Sequence, residues 1–263
     1  MSSAVSFPNY PFKHDSAPLL KPEDMLRAYL GRPDLVIPAS VILGYSTRLP
    51  AFLHERGFHR VLGYPFPWHA MWLREGATTG EGVGVVEGFG IGAPVAALVL
   101  EELATLGARQ FINIGIAGAL PTDLKFGDLV LCTSALRDEG LSHHYLPPER
   151  YAYPSATLTA RLRAMLVERG VKFHEGPAWT VDAIFRETLD EAVAYRDEGV
   201  LCVEMEASAL FVVGSVRNVE VASLVTISDH LLADEHWLLA PSREVVDDGL
   251  LLVLDAALAT LSA

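Results

Sequence analysis

Residues 83–115 read VGVVEGFGIGAPVAALVLEELATLGARQFINIG, and the order of their parts decides the fold class. The run from Val83 to Glu87 is short, apolar and β-branched, and a glycine-rich turn follows it, Gly88-Phe89-Gly90-Ile91-Gly92-Ala93-Pro94. Pro94 to Leu106 then carries helical periodicity, and QFINIG returns to a strand that is apolar on both alternating faces. Strand, helix and second strand of this kind make the unit of a parallel sheet covered by helices. The same alternation runs outward in both directions. Strand-like SVILG precedes it, and DLVLCT, VKFHEG, GVLCVEM and EVASLVTISD follow. Helical periods lie at Ser155 to Arg169, Thr188 to Asp197, Glu206 to Arg217 and Arg243 to Leu261. The pattern predicts an α/β fold: one domain with a central mixed, largely parallel twisted sheet, flanked by helices on both faces. Residues 1–39 hold Pro8, Pro11, Pro18, Pro22, Pro33 and Pro38, which breaks regular structure. They predict an N-terminal arm with one short helix near Glu23 to Leu30, ahead of the domain at 40–263.

Composition excludes several classes. The 263 residues are 51% hydrophobic and 20% charged, too apolar for a chain disordered along its length. Lys and Arg total 20 against 33 Asp and Glu, and a net charge of -13 repels both phosphate backbones and anionic lipid heads. Nucleic acid and membrane are therefore not the expected partners. Cys132 and Cys202 each lie inside an apolar run, which suits buried reduced thiols better than a disulfide framework or a zinc site. The N-terminal stretch lacks the basic and long apolar regions of a secretion signal, and a cytoplasmic address is expected.

Five motifs carry candidate chemistry. The turn at Gly88 to Pro94, which includes Gly90, can turn backbone amides at a helix N-terminus toward an anion. It formally satisfies a dinucleotide fingerprint, but the acid expected at the end of the next strand is missing, and a turn used only for close packing is the plain alternative. Gly44-Tyr45-Ser46-Thr47-Arg48 leaves a strand with a glycine and places a guanidinium four residues on, a pairing that can hold an oxyanion; a surface arginine after a turn is its alternative. Val203-Glu204-Met205-Glu206-Ala207 puts two carboxyls where a strand enters a helix. Glu206 suits a clamp on a vicinal diol, and acids decorating a helix N-terminus are the simpler reading. Thr226-Ile227-Ser228-Asp229-His230 ends an apolar strand on Asp229, a candidate general acid or a helix cap. His143-His144 with Asp138 and Glu139 lacks metal-ligand spacing, so no metal is expected.

Taken in order, GYSTR, GFGIGAP, INIGIAGALPTDLKFGDLVL, TVDAIFRET, VEMEAS and TISDH resemble the nucleoside phosphorylase family, from about Val41 to Ser262. Its members include hexameric purine nucleoside phosphorylase, uridine phosphorylase and methylthioadenosine/adenosylhomocysteine nucleosidase. The resemblance implies cleavage of the N-glycosidic bond of a purine nucleoside by phosphate, with no cofactor and a homodimer or trimer of dimers. It assigns Gly44 and Arg48 to phosphate and Glu206 with Met205, beside Glu204, to ribose. Asn113 and Gly115 to Gly118 fall along the site, with Phe185 or Ile184 against the base and Asp229 near its N7. The chain also departs from the family. Where phosphorylases carry an Arg and a hydroxyl residue, this chain has Asn113 and Ile116, as nucleosidases have an Asn there. Arg137, and Arg60 from a neighbouring subunit, are the candidate replacements for the missing cation. Hydrolysis by water is the alternative reaction, and a non-catalytic nucleoside-binding relative is the third reading. In phosphorylases an early histidine crosses to the neighbouring site; His14 is the residue that can do so here.

Overall fold

The computed structural model describes residues 10, 12–30, 35–62, 68–74, 76–78, 80–233 and 236–263; Pro8, Pro11 and Pro33 of the expected arm lie outside them. In chain order come α1 (Pro22–Leu30), β1 (Ser40–Gly44), α2 (Leu49–Glu55), β2 (Phe58–Arg60), β3 (Ala70–Arg74), β4 (Val83–Glu87), α3 (Ala93–Thr105), β5 (Gln110–Ala119) and β6 (Leu129–Asp138). There follow β7 (Tyr151–Ala152), α4 (Ala156–Glu168), β8 (His174–Val181), α5 (Leu189–Asp197), β9 (Cys202–Glu204), α6 (Ala207–Arg217), β10 (Glu220–Ala233), β11 (His236–Leu239) and α7 (Arg243–Ser262). The chain is one α/β domain around an 11-stranded mixed sheet.

Local chemistry sets the helix ends. Ser155 and Ser242 accept from the backbone amides of Leu158 and Glu244 and so cap α4 and α7. Pro50 sits in the first turn of α2, where a missing amide costs nothing. Asn218, left-handed at φ 54°, ends α6. Helices α3 and α6 bury their apolar sides on one face of the sheet through Leu100, Leu103, Leu210 and Phe211, while α2, α4 and α7 cover the other through Phe52, Leu162 and Leu254. A third cluster gathers Leu136, Trp179, Ala192 and Val200. Cys132 and Cys202 are buried and free. Among the described residues, no helix is long and apolar enough to cross a membrane.

The expected sheet, mixed and largely parallel, is mixed, but it is not largely parallel. The pairs β1–β4, β1–β5, β5–β10, β6–β8 and β8–β9 are parallel, but β2–β3, β3–β4, β5–β9, β6–β7, β6–β10 and β10–β11 are antiparallel. Strands β5, β10, β6, β8 and β9 close into a ring. Strand length is the physical reason. One edge of β5 runs beside β10 from Gln110 to Ala119, while its other edge is shared: Gln110 to Ile114 pair with β1, and Gly118 and Ala119 pair with β9. Between Ile114 and Gly118 that edge has changed partner, and the sheet opens there. Such switch points are where α/β sheets take ligands.

Candidate active site

A cavity of about 690 Å³ occupies the opening, and Asn113 and Gly115 to Gly118 of β5 form one wall. A bulge in β10 supplies the next. Ile227 pairs with Ala117 and Asp229 with Gly118, so Ser228 is an extra residue, and bulges of this kind re-aim the side chain that follows. Asp229 thereby lies over Gly118, where an added Cβ would stand 2.9 Å from Oδ2 of Asp229, 2.5 Å from Leu231 and 3.1 Å from Val203. A methyl there would have to push those side-chain ends, that of Asp229 among them, aside. Both Asp229 oxygens are engaged: Ser228 Oγ donates to one at 2.6 Å and Trp237 Nε1 to the other at 2.9 Å.

The corner between β9 and α6 brings two buried carboxyls to the same cavity. Glu204 accepts from the backbone amides of Glu206 and Ala207 at 2.8 and 2.7 Å and from the Thr180 hydroxyl, so it caps α6 from outside the helix. Glu206 accepts from the Gly92 amide at 2.6 Å, tying the corner to the glycine turn. Gly88, Gly90 and Gly92 all have positive φ (85°, 88° and 104°), a path that glycine follows at little cost and other residues rarely adopt. Burial lifts both carboxyls above the ordinary carboxylate range. The charge of Glu204 raises Glu206 further, while the donors on Glu204 pull that group back down. Tyr45 lies beside them with its hydroxyl buried and without a partner among the described residues, its ring edge-on to Phe89 at 5.1 Å. Burial, then the charges of Glu206 and Glu204, push its phenol well above the ordinary value. Asn113 donates to Ser223 Oγ at 2.9 Å, and its side-chain carbonyl oxygen has no partner among the described residues. Two buried polar atoms at one cavity wall are thus left for a ligand or water.

The loop after β8 completes the mouth. Phe185 is 93% exposed at the rim, with Ile184 beside it. Glu187, two residues on, lines the cavity, and Met205 faces it from the β9–α6 corner.

The structure thus brings together Asn113, Gly115, Phe185, Glu204, Met205, Glu206 and Asp229. It does not bring the arginines or Gly44 and Gly90 to the wall. Gly44 ends β1 where an added Cβ would lie 2.2 Å from Leu49 Cδ1, and Gly90 is exposed in its turn next to Ile91, which does line the cavity. Arg48 is 55% exposed at its side chain, donates to Asp247 at 3.1 Å and lies over the Phe52 ring. Arg137 is buried away from the cavity. Its guanidinium holds Ser142 Oγ and the Pro147 carbonyl at 2.9 Å and the Leu146 carbonyl at 3.3 Å. Arg60 is exposed on β2, at the far end of the sheet. His14 packs against its own chain, with Nε2 3.1 Å from the His143 carbonyl. Among the described residues the cavity has four acids, Glu187, Glu204, Glu206 and Asp229, and no basic side chain. No cluster of three metal-ligating side chains occurs among them either.

Sequence reading missed Tyr45, Glu187 and Trp237 as cavity residues. Tyr45 lies inside the GYSTR motif, where the arginine drew attention. Glu187, between Arg186 and Thr188 in a loop, and Trp237, on the edge strand β11, lie where no period marks which side chains turn inward.

A sequence model described as the Phosphorylase superfamily matches residues 33–259. The chain belongs to that superfamily. Among superfamily relatives, the guanosine phosphorylase of Halorubrum lacusprofundi is 31% identical over 144 residues, 55% of this chain and 60% of that protein's own length. The DeoD-type purine nucleoside phosphorylase of Bacillus cereus is 29% identical over 176 residues, 66% of this chain and 74% of that one. Among solved superfamily structures, uridine phosphorylase from Vibrio fischeri ES114 superposes with a TM-score of 0.72 at 27% identity, covering 86% of this chain and 92% of that one.

Proposed function

We propose that this superfamily member is a nucleoside phosphorylase, a pentosyltransferase that cleaves the N-glycosidic bond of a purine nucleoside with phosphate to give free base and ribose 1-phosphate. One observation carries the reading: motifs far apart in the chain, Asn113 to Gly118, Glu204 to Glu206 and Ser228-Asp229, converge on a single cavity with an aromatic residue at its rim. The names of the guanosine and purine nucleoside phosphorylase relatives support the purine. In this reading Glu206, ionised, accepts the sugar hydroxyls, holds the ribose in one pose and offsets positive charge as it develops at the anomeric carbon. Phe185 covers the base, and Asp229 meets its N7 edge. Gly44 and Arg48 hold phosphate, and the reading needs no cofactor or metal.

A cavity whose described residues include four acids and no basic side chain opposes a phosphate dianion, so the charge has to come from Arg48 swinging off Asp247 or from Arg60 of a second copy. The reading therefore includes a homo-oligomer, a dimer or trimer of dimers. It also includes a cytoplasmic address, an arm at 1–39 and a catalytic domain at 40–263. The same missing cation, with Asn113 in the wall, favours the second reading, hydrolysis by water. Chromatography of free base from guanosine, inosine, adenosine, methylthioadenosine and uridine, with and without inorganic phosphate, separates the two. Phosphate-dependent release from the purine nucleosides is expected. Equal release without phosphate makes the protein a nucleosidase, and thermal stabilisation by nucleoside with no release makes it a binding protein.

A further inference from the structure

Among the four cavity carboxyls, three are already held. Glu204 is bonded by two amides and a hydroxyl, Glu206 by the Gly92 amide, and Asp229 by Ser228 and Trp237 on its two oxygens. Glu187 is different. It is half-buried in the cavity wall, and among the described residues no donor and no cation pairs with it. A carboxyl taken partly out of water and given no protein partner finds one in the ligand or keeps its proton. We propose that Glu187, in the loop between β8 and α5, is the acid that hands its proton to the departing purine, while Asp229, fixed by Ser228 and Trp237, accepts from the N7–H once that proton has arrived.

This rests on the nucleoside phosphorylase reading. As the bond from the anomeric carbon to N9 breaks, its electron pair passes into the purine and the Glu187 proton moves to N7. A phosphate oxygen forms the new bond to the anomeric carbon, and the Glu187 carboxylate regains a proton from water after the base leaves. The charged groups bearing on Glu187 are Asp229 from β10 and Glu191 from α5. Burial, then those two charges, raise it to about 7, so near neutral pH a large fraction of molecules carries the proton. The acid form is present below that pH and lost above it.

The test compares wild-type protein with Glu187→Gln and Glu187→Asp on guanosine and on 7-methylguanosine, at saturating phosphate, from pH 6 to 9. The N7-methylated base departs without taking a proton. For guanosine, kcat in Glu187→Gln is expected to fall about 10²-fold or more, with loss of the alkaline limb, while 7-methylguanosine changes by less than about threefold. Glu187→Asp retains an alkaline limb. Equal loss on both substrates, or no loss on either, overturns this assignment alone. Wild-type protein that releases base from neither substrate overturns the phosphorylase reading with it. Where the cavity rejects the methyl group, the guanosine profile decides: an alkaline limb that survives in Glu187→Gln overturns the proposal.

Discussion

The clearest quantitative consequence of the structure concerns Glu204, which holds the start of α6 rather than reaching for substrate. Replacing it by alanine removes the acceptor for the buried amides of Glu206 and Ala207. Leaving a buried donor unsatisfied costs about 1–3 kcal/mol, which puts the pair at about 2–6 kcal/mol. Part of that returns, because burial already opposes ionisation of this carboxyl. A net loss of about 2–4 kcal/mol is expected, and at about 2–3 °C per kcal/mol for a chain of this size Tm falls by about 4–12 °C. Glu204→Gln keeps a carbonyl oxygen with two lone pairs for the same amides and can donate to Thr180 Oγ1, so it stays within about 1 kcal/mol of wild type. The assay is urea denaturation followed by far-ultraviolet circular dichroism at fixed protein concentration, with hydrogen exchange read at the first turn of α6. Alanine and glutamine variants of equal stability, or full exchange protection in the alanine variant, would refute the capping role.

Other expectations follow from the same cavity. The folded-state values of Glu204 and Glu206 lie above the ordinary carboxylate value, so the empty protein binds those protons more tightly than the unfolded chain does. Their contribution is fully present below about pH 4.5 and is lost as pH rises through the folded values. Denaturant midpoints should therefore decline across that window, and Glu206→Gln should flatten the decline; an unchanged slope contradicts the burial argument. Gly118→Ala forces a methyl toward Leu231, Asp229 and Val203, and a loss of about 1–3 kcal/mol with a large fall in kcat is expected; a variant of wild-type activity would show that the approach is not tight. Arg48→Ala should raise the KM for phosphate at least tenfold while leaving nucleoside affinity near wild type, measured by initial rates. Phosphate dependence that does not move would take Arg48 out of the site.

Much of the fold was legible because apolar periods are local. The helices at Ala93–Thr105, Ala156–Glu168, Leu189–Asp197, Ala207–Arg217 and Arg243–Ser262 fall within a residue or two of the periodic segments. The β8 strand was read too early: its text, VKFHEG, begins at 171, but the ladder with β6 begins at His174 and runs on to Val181. Helix α2 was missed because LPAFLHE is short and opens with a proline that suits a first turn. Ring closure was not legible at all. It depends on which partner β5 takes at each end, and QFINIGIAGA looks the same in an open sheet. The site divides in the same way. Asn113 and Asp229 were legible as polar residues interrupting apolar strands, although β10 does not end on Asp229 as its text suggests: β5 and β10 run on to Ala119 and Ala233, and both residues lie inside their strands. The arginines were not, since a long side chain goes where its acceptors are, and for Arg137 these are carbonyls about ten residues downstream.

The acid-only cavity also makes ligand binding a proton-counting event. A sugar diol needs Glu206 as carboxylate, yet burial in the empty site favours its neutral form, so nucleoside uptake near neutral pH should expel a fraction of a proton into the medium. Calorimetric binding enthalpies would then differ between buffers of unlike ionisation heat. The slope of that difference would count the released protons, a signature set by four carboxyls lining one cavity that has no basic side chain among its described residues.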